Sequence, residues 1–473
     1  CDVRHCDCAG VMMTNDWMNR RILIIGAARQ GLALGRYLDR MGARVTLNDQ
    51  RSEAQMLASM EGMADTGVRW ALGGHPLELL DQTDLVCLSG GVPLDLPIVV
   101  EAQRRGIPLS NDSQIFMDAV PCRVVGITGS AGKTTTTTLV ARMAQAAVRE
   151  PQHAWVGGNI GQPLIDLVDQ MKPEDVVILE LSSFQLEQMT RSPQVGAVLN
   201  ITPNHLDRHG TLEAYAAAKG RILAFQKPED IAVLGREDPG AWALAGQVRG
   251  KLVSFGFERL APDQTGTFER DGRIWLQANG KAVELMPVDL IRLRGMHNRM
   301  NVLAACAIAY AAGFPVEAMI AGVSGFAGVA HRLEFVRMVN GAAWYNDSIA
   351  TAPERTAAAV RAFSEPLVLL LGGRDKKLPW EGLAALIHER VDHVVVFGEA
   401  APKILAALGE TQPGQRPYTL EQCPGLQEAV QAAARAASAG DVVLLSPGGT
   451  SFDQFRDFEE RGEEFRKWVN QLS

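Results

Sequence analysis

Thr128-Gly129-Ser130-Ala131-Gly132-Lys133-Thr134-Thr135 places two glycines, a lysine and successive hydroxyls directly after the apolar run Arg123-Val124-Val125-Gly126-Ile127. A strand that runs into a glycine turn and then a helix presents free backbone N–H groups and the positive end of the helix dipole to an anion. Lys133 adds a point charge for the outer phosphates of a nucleotide, and the Thr134 hydroxyl suits Mg²⁺. The strict P-loop spacing is incomplete, because Ile127 stands where its leading glycine belongs. A plain strand-to-helix turn is the alternative. Gly-Lys-Thr immediately after the turn favours ATP phosphates held by Gly129, Ser130, Ala131, Gly132, Lys133, Thr134 and Thr135.

Further groups of this kind follow apolar runs. Glu180 closes Val176-Val177-Ile178-Leu179, and an acid at the carboxyl end of a parallel strand points into the ligand crevice. His205 and His209 lie in the segment Asn200 to His209, just past Val195 to Leu199. Beside a phosphate loop, a carboxylate and an imidazole suit a metal, with Mg²⁺ preferring oxygen. The i, i+4 histidines also fit a zinc pair, although no third soft ligand accompanies them. Lys219, in Ala216-Ala217-Ala218-Lys219-Gly220, reads on its own as an exposed helical lysine. Gly26-Ala27-Ala28-Arg29-Gln30-Gly31 is an imperfect dinucleotide fingerprint, with Ala28 at its second glycine position and Asp49 about twenty residues on. A nucleotide-type ligand and a structural turn both fit it. Cys1, Cys6 and Cys8 cluster with His5 but have no second ligand pair at zinc spacing, and Cys87, Cys122 and Cys306 sit in apolar stretches as buried thiols.

These groups need strands that end on one side of a sheet, and the chain alternates short β-rich runs with helical stretches throughout. Its 473 residues exceed one core, and roughly 150 residues per domain predicts three. The expected fold class is α/β. Residues 1–20 form a leader of uncertain structure, and 21–120 a Rossmann-like domain with a parallel sheet. Residues 121–325 form a central P-loop ATPase-like domain with a mixed sheet, including a small antiparallel patch between about Lys251 and Leu293 and a closing helix from about Asn298 to Ala312. Residues 326–473 form a C-terminal Rossmann-like domain. Hydrophobic residues make up 47% and charged residues 21%, as in soluble globular chains. A net charge of −8 without a dense basic run argues against a surface that coats nucleic acid. No apolar run reaches the roughly 18 residues of a bilayer span, and the start lacks a signal-peptide core, so a cytoplasmic enzyme is expected.

Five further segments sharpen this reading: Glu180-Leu181-Ser182-Ser183-Phe184-Gln185-Leu186-Glu187, Asn200 to Arg208, Gly295-Met296-His297-Asn298, His331-Arg332-Leu333-Glu334 and Asn346-Asp347-Ser348-Ile349-Ala350-Thr351. In this order, from about Arg21 to the C-terminus, the chain resembles the Mur ligases, and within them the branch that adds glutamate to a UDP-linked muramoyl-alanine. The resemblance implies that ATP phosphorylates the carboxylate of UDP-N-acetylmuramoyl-L-alanine and that the amine of D-glutamate attacks the acyl phosphate, in peptidoglycan precursor synthesis. It also implies that Lys133 holds the ATP phosphates, that Thr134 and Glu180 bind one Mg²⁺, and that His205 and Lys219 serve a second. Lys219 matches a lysine that CO₂ carbamylates in this family, which turns an ammonium into an anionic oxygen ligand.

By the same resemblance, Asn159 contacts the acyl substrate, and Asn298, Arg332 and Asp347 hold adenine, phosphate and ribose. Arg29 and Gln30 lie at the pyrophosphate turn, Asp49, Gln50 and Arg51 lie near the uracil, and Ser89 is a further contact. Thr351, Lys376, Ser451 and Phe458 form the amino-acid pocket. The chain departs from the family pattern at Ile349, where many members have lysine, and at Gly448-Gly449-Thr450. The alternatives are the same reaction with L-glutamate, a folate polyglutamate ligase, and a P-loop ATPase that acts as a switch or transporter. A monomer with small-molecule substrates and no nucleic-acid or membrane partner is expected.

Overall fold

The computed structural model describes residues 17–204, 206–293, 295–409 and 414–472; Cys1, His5, Cys6, Cys8 and His205 lie outside the described residues. Two compact units result, one ending at Gly325 and the other beginning at Phe326.

The first unit opens with β1 (Arg21–Ile25), β2 (Arg44–Asp49), β3 (Arg69–Leu72), β4 (Leu85–Leu88) and β5 (Leu109–Asn111). They pair in the order β3-β2-β1-β4-β5, all parallel. Alternate residues of β1 enter different cores: Ile22 and Ile24 pack with Leu34 and Leu38, whereas Leu23 and Ile25 pack with Val86, Leu88 and Ile98. A strand buried on both faces reads as a continuous apolar run, which is why it is visible in the sequence. Because the chain leaves β1 for β2 on one side and returns as β4 on the other, the strand order reverses beyond Ile25 and Leu88. A reversal of this kind opens a crevice for ligand.

The same unit continues with β6 (Arg123–Thr128), β7 (Ala154–Gly158), β8 (Val176–Glu180), β9 (Val195–Val198), β10 (Ile231–Gly235), β11 (Lys251–Phe255), β12 (Gly266–Arg270), β13 (Arg273–Ala278) and β14 (Lys281–Pro287). Their order is β14-β13-β12-β11-β10-β9-β6-β8-β7. β12, β13 and β14 pair antiparallel, so the patch extends the edge of the parallel sheet; β11, at its expected start, is parallel to both neighbours. The closing helix runs Met296–Ala312 and is buried continuously from Asn301 to Ala309. A helix that is apolar all round must be covered on every side, and the phosphate-loop helix Lys133–Ala147 packs against it. Within this unit Arg36 pairs with Asp166 at 2.6 Å, Asn111 Nδ2 donates to Gln185 O at 2.7 Å, and Arg208 Nη2 donates to Val92 O at 2.8 Å. These contacts tie the five-stranded sheet's side to the nine-stranded sheet's side.

The second unit contains β15 (Glu334–Val339), β16 (Ala342–Asn346), β17 (Leu367–Gly372), β18 (His393–Phe397), β19 (Thr419–Cys423) and β20 (Val442–Gly448). The order is β15-β16-β20-β17-β18-β19, antiparallel at β15–β16 and parallel elsewhere. Leu367, Leu369 and Leu371 face one core, and Val368 and Leu370 the other. The α/β class with three sheets is therefore the observed architecture.

Candidate active site

β6 delivers Thr128, and Gly132 caps the helix Lys133–Ala147 at φ +79°. An L side chain rarely adopts that conformation, and a Cβ there would also collide with Asn301 Oδ1. The turn is pinned from the end of β9. Ala131 N donates to Asn200 Oδ1 at 2.8 Å, Ser130 N to Asn200 O at 2.9 Å, and Ser130 Oγ to Thr202 O at 3.0 Å. Lys133 Nζ folds back to Gly129 O at 2.8 Å and Ser130 O at 3.3 Å, within the anion-binding turn.

β8 brings Glu180 beside this turn at 1% exposure. Its Oε1 accepts from Asn159 Nδ2 at 2.9 Å, and Asn159 N donates to Glu180 O at 2.9 Å, whereas Oε2 is buried without a hydrogen-bond partner among the described residues. An orphaned buried acceptor costs about 1–3 kcal/mol or more, which a hard cation relieves. The oxygen donors Glu180 and Thr134 fit Mg²⁺ by type.

Lys219 does not behave as the exposed helical lysine that its neighbours suggest. Its helix, Leu212–Ala224, buries the side chain to 1% exposure among Ala218, Gly220 and Tyr215. Nζ donates to Gly129 O at 2.9 Å and Thr128 Oγ1 at 3.3 Å, and lies 4.7 Å from the Tyr215 ring centre. Burial, and then the Lys133 charge, pull its pKa down to about 7 against the opposing pull of Glu180. Lys133, Glu180, Asn159 and Lys219 thus meet around one turn.

Of the two histidines read as a zinc pair, His205 lies outside the described residues, and His209 is packed within the site. It stacks on Phe184 with 5.5 Å between ring centres, and its Nε2 lies 3.0 Å from Ser183 Oγ. Among the described residues no group of three or more His, Cys, Asp and Glu is placed to hold a metal ion. Cys87, Cys122 and Cys306 are buried free thiols.

At the end of β1, Gly26 adopts φ +94°, and a Cβ there would stand 2.9 Å from Ser89 Cβ, so the turns after β1 and β4 touch. Asp49 serves this turn structurally. It accepts from Ala27 N at 2.9 Å and pairs with Arg51 at 2.7 Å, and the Arg51 hydrogen bond holds its carboxyl well below the usual range. Arg51 in turn donates to Ala27 O at 3.2 Å. Gln30 Nε2 donates to Gly158 O at 3.1 Å, beside Asn159, whereas Arg29 and Gln50 are exposed.

In the second unit Asp347 follows β16, accepts from Ser446 Oγ at 2.8 Å and from Leu333 N at 3.2 Å, and is pushed up to about 7 by burial. Arg332 adds a neighbouring positive charge. Lys376 Nζ donates to Thr351 Oγ1 at 3.2 Å. Ser451 is buried, and Phe458 packs edge-on to His331. Arg461, at 0% exposure, donates to Ser348 O at 2.8 Å and Gly449 O at 3.1 Å, and so joins the loops after β16 and β20.

Asn200, Asn301 and Arg461 join this site without a role foreseeable from the motifs above. Asn301 had a usable signal, one helical turn past Asn298, whose Oδ1 it reaches at 3.1 Å. Arg461 had none, since it lies in the charge-rich run Phe458-Glu459-Glu460-Arg461-Gly462-Glu463-Glu464.

Family profiles match in the same chain order: Mur ligase MurD-like N-terminal domain over residues 20–111, Mur ligase middle domain over 127–309, and Mur ligase glutamate ligase domain over 331–449. The UDP-N-acetylmuramoylalanine–D-glutamate ligase of Symbiobacterium thermophilum is 41% identical over 96% of this chain and 99% of its own length. The chain belongs to the Mur ligase family. The Anaeromyxobacter dehalogenans enzyme of the same name is 42% identical over 94% of this chain and 96% of its own. Among solved structures, a MurF from Acinetobacter baumannii aligns with a TM-score of 0.57 at 16% identity, covering 95% of this chain and 94% of its own. The UDP-N-acetylmuramate–alanine ligase MurC of Thermotoga maritima aligns at 0.55 and 19% identity, covering 95% and 99%. At those identities the structural likeness bears on the Mur ligase fold alone.

Proposed function

We propose that this Mur ligase joins D-glutamate to UDP-N-acetylmuramoyl-L-alanine, consuming ATP through an acyl-phosphate intermediate in peptidoglycan precursor synthesis. The observation that carries the reading is the near-full-length identity to ligases named for that reaction. The cluster around Gly129 supplies its chemical sense.

In the proposed mechanism the free N–H groups from Gly129 to Thr135, with Lys133, hold the ATP phosphates and neutralise charge as the γ-phosphoryl leaves. Thr134 and Glu180 would hold Mg²⁺, which when bound would supply positive charge to the transferring phosphoryl group. Asn159, fixed by its bond to Glu180, orients the acceptor carboxylate so that an oxygen lone pair faces the phosphorus. The amine of glutamate, once deprotonated, attacks the acyl carbon, and phosphate departs. Lys219, as a carbamate, would add an anionic ligand for a second Mg²⁺ with His205. Its burial and lowered pKa support this role, because CO₂ reacts with the neutral amine. Gly26, Arg29, Gln30, Gln50, Arg51 and Ser89 frame the uridine diphosphate end. Asn298, Arg332 and Asp347 serve the nucleoside part of ATP, and Thr351, Lys376, Ser451 and Phe458 serve the amino acid. Among the described residues no helix is long and apolar enough to cross a membrane.

The test is phosphate release from ATP and Mg²⁺ with UDP-N-acetylmuramoyl-L-alanine and each glutamate enantiomer. Release with D-glutamate is expected. Release with L-glutamate alone would assign the other stereochemistry, and full-rate release from ATP alone would point to an ATPase switch.

A further inference from the structure

Gln30 stands in the turn after β1, and its side chain leads out of that turn. Nε2 donates to Gly158 O at 3.1 Å, at the end of β7 in the nine-stranded sheet. A Cβ on Gly90, in the turn after β4, would stand 3.0 Å from Gln30 Oε1. One half-buried amide therefore meets the turn after β4 and the end of β7 while belonging to the turn after β1. The helix Arg29–Arg40 starts at Ala28, which supplies no side-chain cap, so its first N–H groups are left for an anion while the Gln30 side chain is engaged elsewhere.

Gly158 is a place where the backbone needs an anchor. It adopts φ +98°, and a Cβ there would stand 2.3 Å from Glu180 O, so no side chain of its own can brace it. Asn159, the next residue, is exposed, and packing does not fix it. Its place comes from its two bonds to Glu180 and from the backbone before it. The Gln30 bond holds that backbone from outside. Arg36–Asp166, Asn111–Gln185 and Arg208–Val92 tie the same two sides together, so one neutral bond from Gln30 is a small share of what joins them. Its end point, one residue from Asn159, sets it apart from those ties.

We propose that Gln30 is a positioning residue: through Gly158 it sets Asn159 against the acceptor carboxylate, and so joins the turn that frames the uridine diphosphate to the place where the acyl end reacts. The role rests on the ligase reading above. It leaves the pyrophosphate to the backbone N–H groups of the turn and gives the Gln30 side chain to alignment, where a shift of about 1 Å is enough to slow a reaction.

The test is steady-state kinetics of the full chain with ATP, D-glutamate and varied UDP-N-acetylmuramoyl-L-alanine, comparing the parent with Gln30→Met, Gln30→Asn, Asn159→Ala, the Gln30→Met/Asn159→Ala double variant and Arg36→Met. Methionine keeps the length of the side chain without its donor, and asparagine keeps the amide but falls short of Gly158. Both should lower kcat roughly 2- to 12-fold, the worth of one neutral hydrogen bond, and leave the KM for the UDP substrate within about 2-fold of the parent's. The double variant should be no slower than Asn159→Ala, because Gln30 acts through that residue. Arg36→Met, which breaks the Arg36–Asp166 tie between the same two sides, should match the parent's kcat. A raised KM for the UDP substrate at unchanged kcat would make Gln30 a substrate ligand and overturn the inference. Losses that multiply in the double variant, parent-like kinetics in both Gln30 variants, or an equal loss in Arg36→Met would overturn it as well. If the parent itself releases no phosphate with D-glutamate, the ligase reading fails instead, so the two failures are distinguishable.

Discussion

Lys219 keeps an amine in the interior at the expense of its charge, with Gly129 O and Thr128 Oγ1 as acceptors and the Lys133 ammonium disfavouring a second positive charge. A carbamate would invert this arrangement by putting an anionic oxygen ligand near Lys133 in place of a second positive charge. Lys219→Ala should therefore lower turnover by about 10²- to 10³-fold or more, the loss typical of a removed electrostatic group. Lys219→Arg should be equally poor, because a guanidinium keeps the charge but cannot take up CO₂. Added bicarbonate or chloride should restore part of the Lys219→Ala rate in an ADP-release assay. An active Lys219→Arg enzyme would mean that positive charge suffices. Asp347 carries a different prediction. Its folded pKa of about 7 lies above the ordinary value of 3.8, so between those values the folded state binds more protons than the unfolded state. Stability from this group is full below about pH 4 and is lost as pH rises through 7. Asp347→Asn should flatten that decline, and denaturant unfolding from pH 4 to 8 measures the difference.

At the scale of elements, the phosphate turn owes its shape to contacts from outside its own helix. Asn200 makes bonds to both Ala131 N and Ala131 O, and Ser130 joins Asn200 O and Thr202. Asn200→Ala should leave Ala131 N without its side-chain acceptor and loosen the turn. Because this bond is exposed, its net worth is about 0.5–1.5 kcal/mol, a rise in the KM for ATP of roughly 2- to 12-fold, readable beside a nearly unchanged thermal midpoint. β6, β8 and β20 were legible in the sequence because strands covered on both faces are unbroken apolar runs. The turn was legible because glycine, lysine and threonine are its chemistry. The burial of Lys219 was not legible, since the alanines and glycine around it signal a helix but not that a second helix face lies under a sheet. Arg461 was hidden for the same reason. It stands among four glutamates, of which Glu459 and Glu463 are exposed, while its guanidinium turns inward to Ser348 and Gly449. Asp49 looked like a ligand-binding acid because its position at a strand end is right. Its partners, Ala27 N and Arg51, are set by a loop that the local pattern does not describe.

At the scale of the whole molecule, the core clusters respect the division at Gly325. Among the described residues, clusters of the first unit run from Trp17 to Leu244 and from Leu23 to Ala102, and those of the second run from Val339 to Val469, with Leu333, Val336 and Leu472 packed against them. A unit of about 150 residues with its own core buries enough surface to fold alone. A fragment from Phe326 to Ser473 should accordingly give a single cooperative thermal transition and a monomeric elution profile, while forming no ADP because the phosphate turn is absent from it. The β15 edge sharpens the prediction. β16 is buried at every position and pairs with β15 on one side and β20 on the other. A fragment starting at Gly341 therefore exposes an unpaired apolar edge and loses the Glu334 carboxylate that accepts from Asn346 Nδ2 at 3.1 Å. This shorter fragment should aggregate or melt without cooperativity where the longer one does not. Equal behaviour of the two would mean that β15 is dispensable to this unit, and failure of both would mean that residues before Phe326 complete its core.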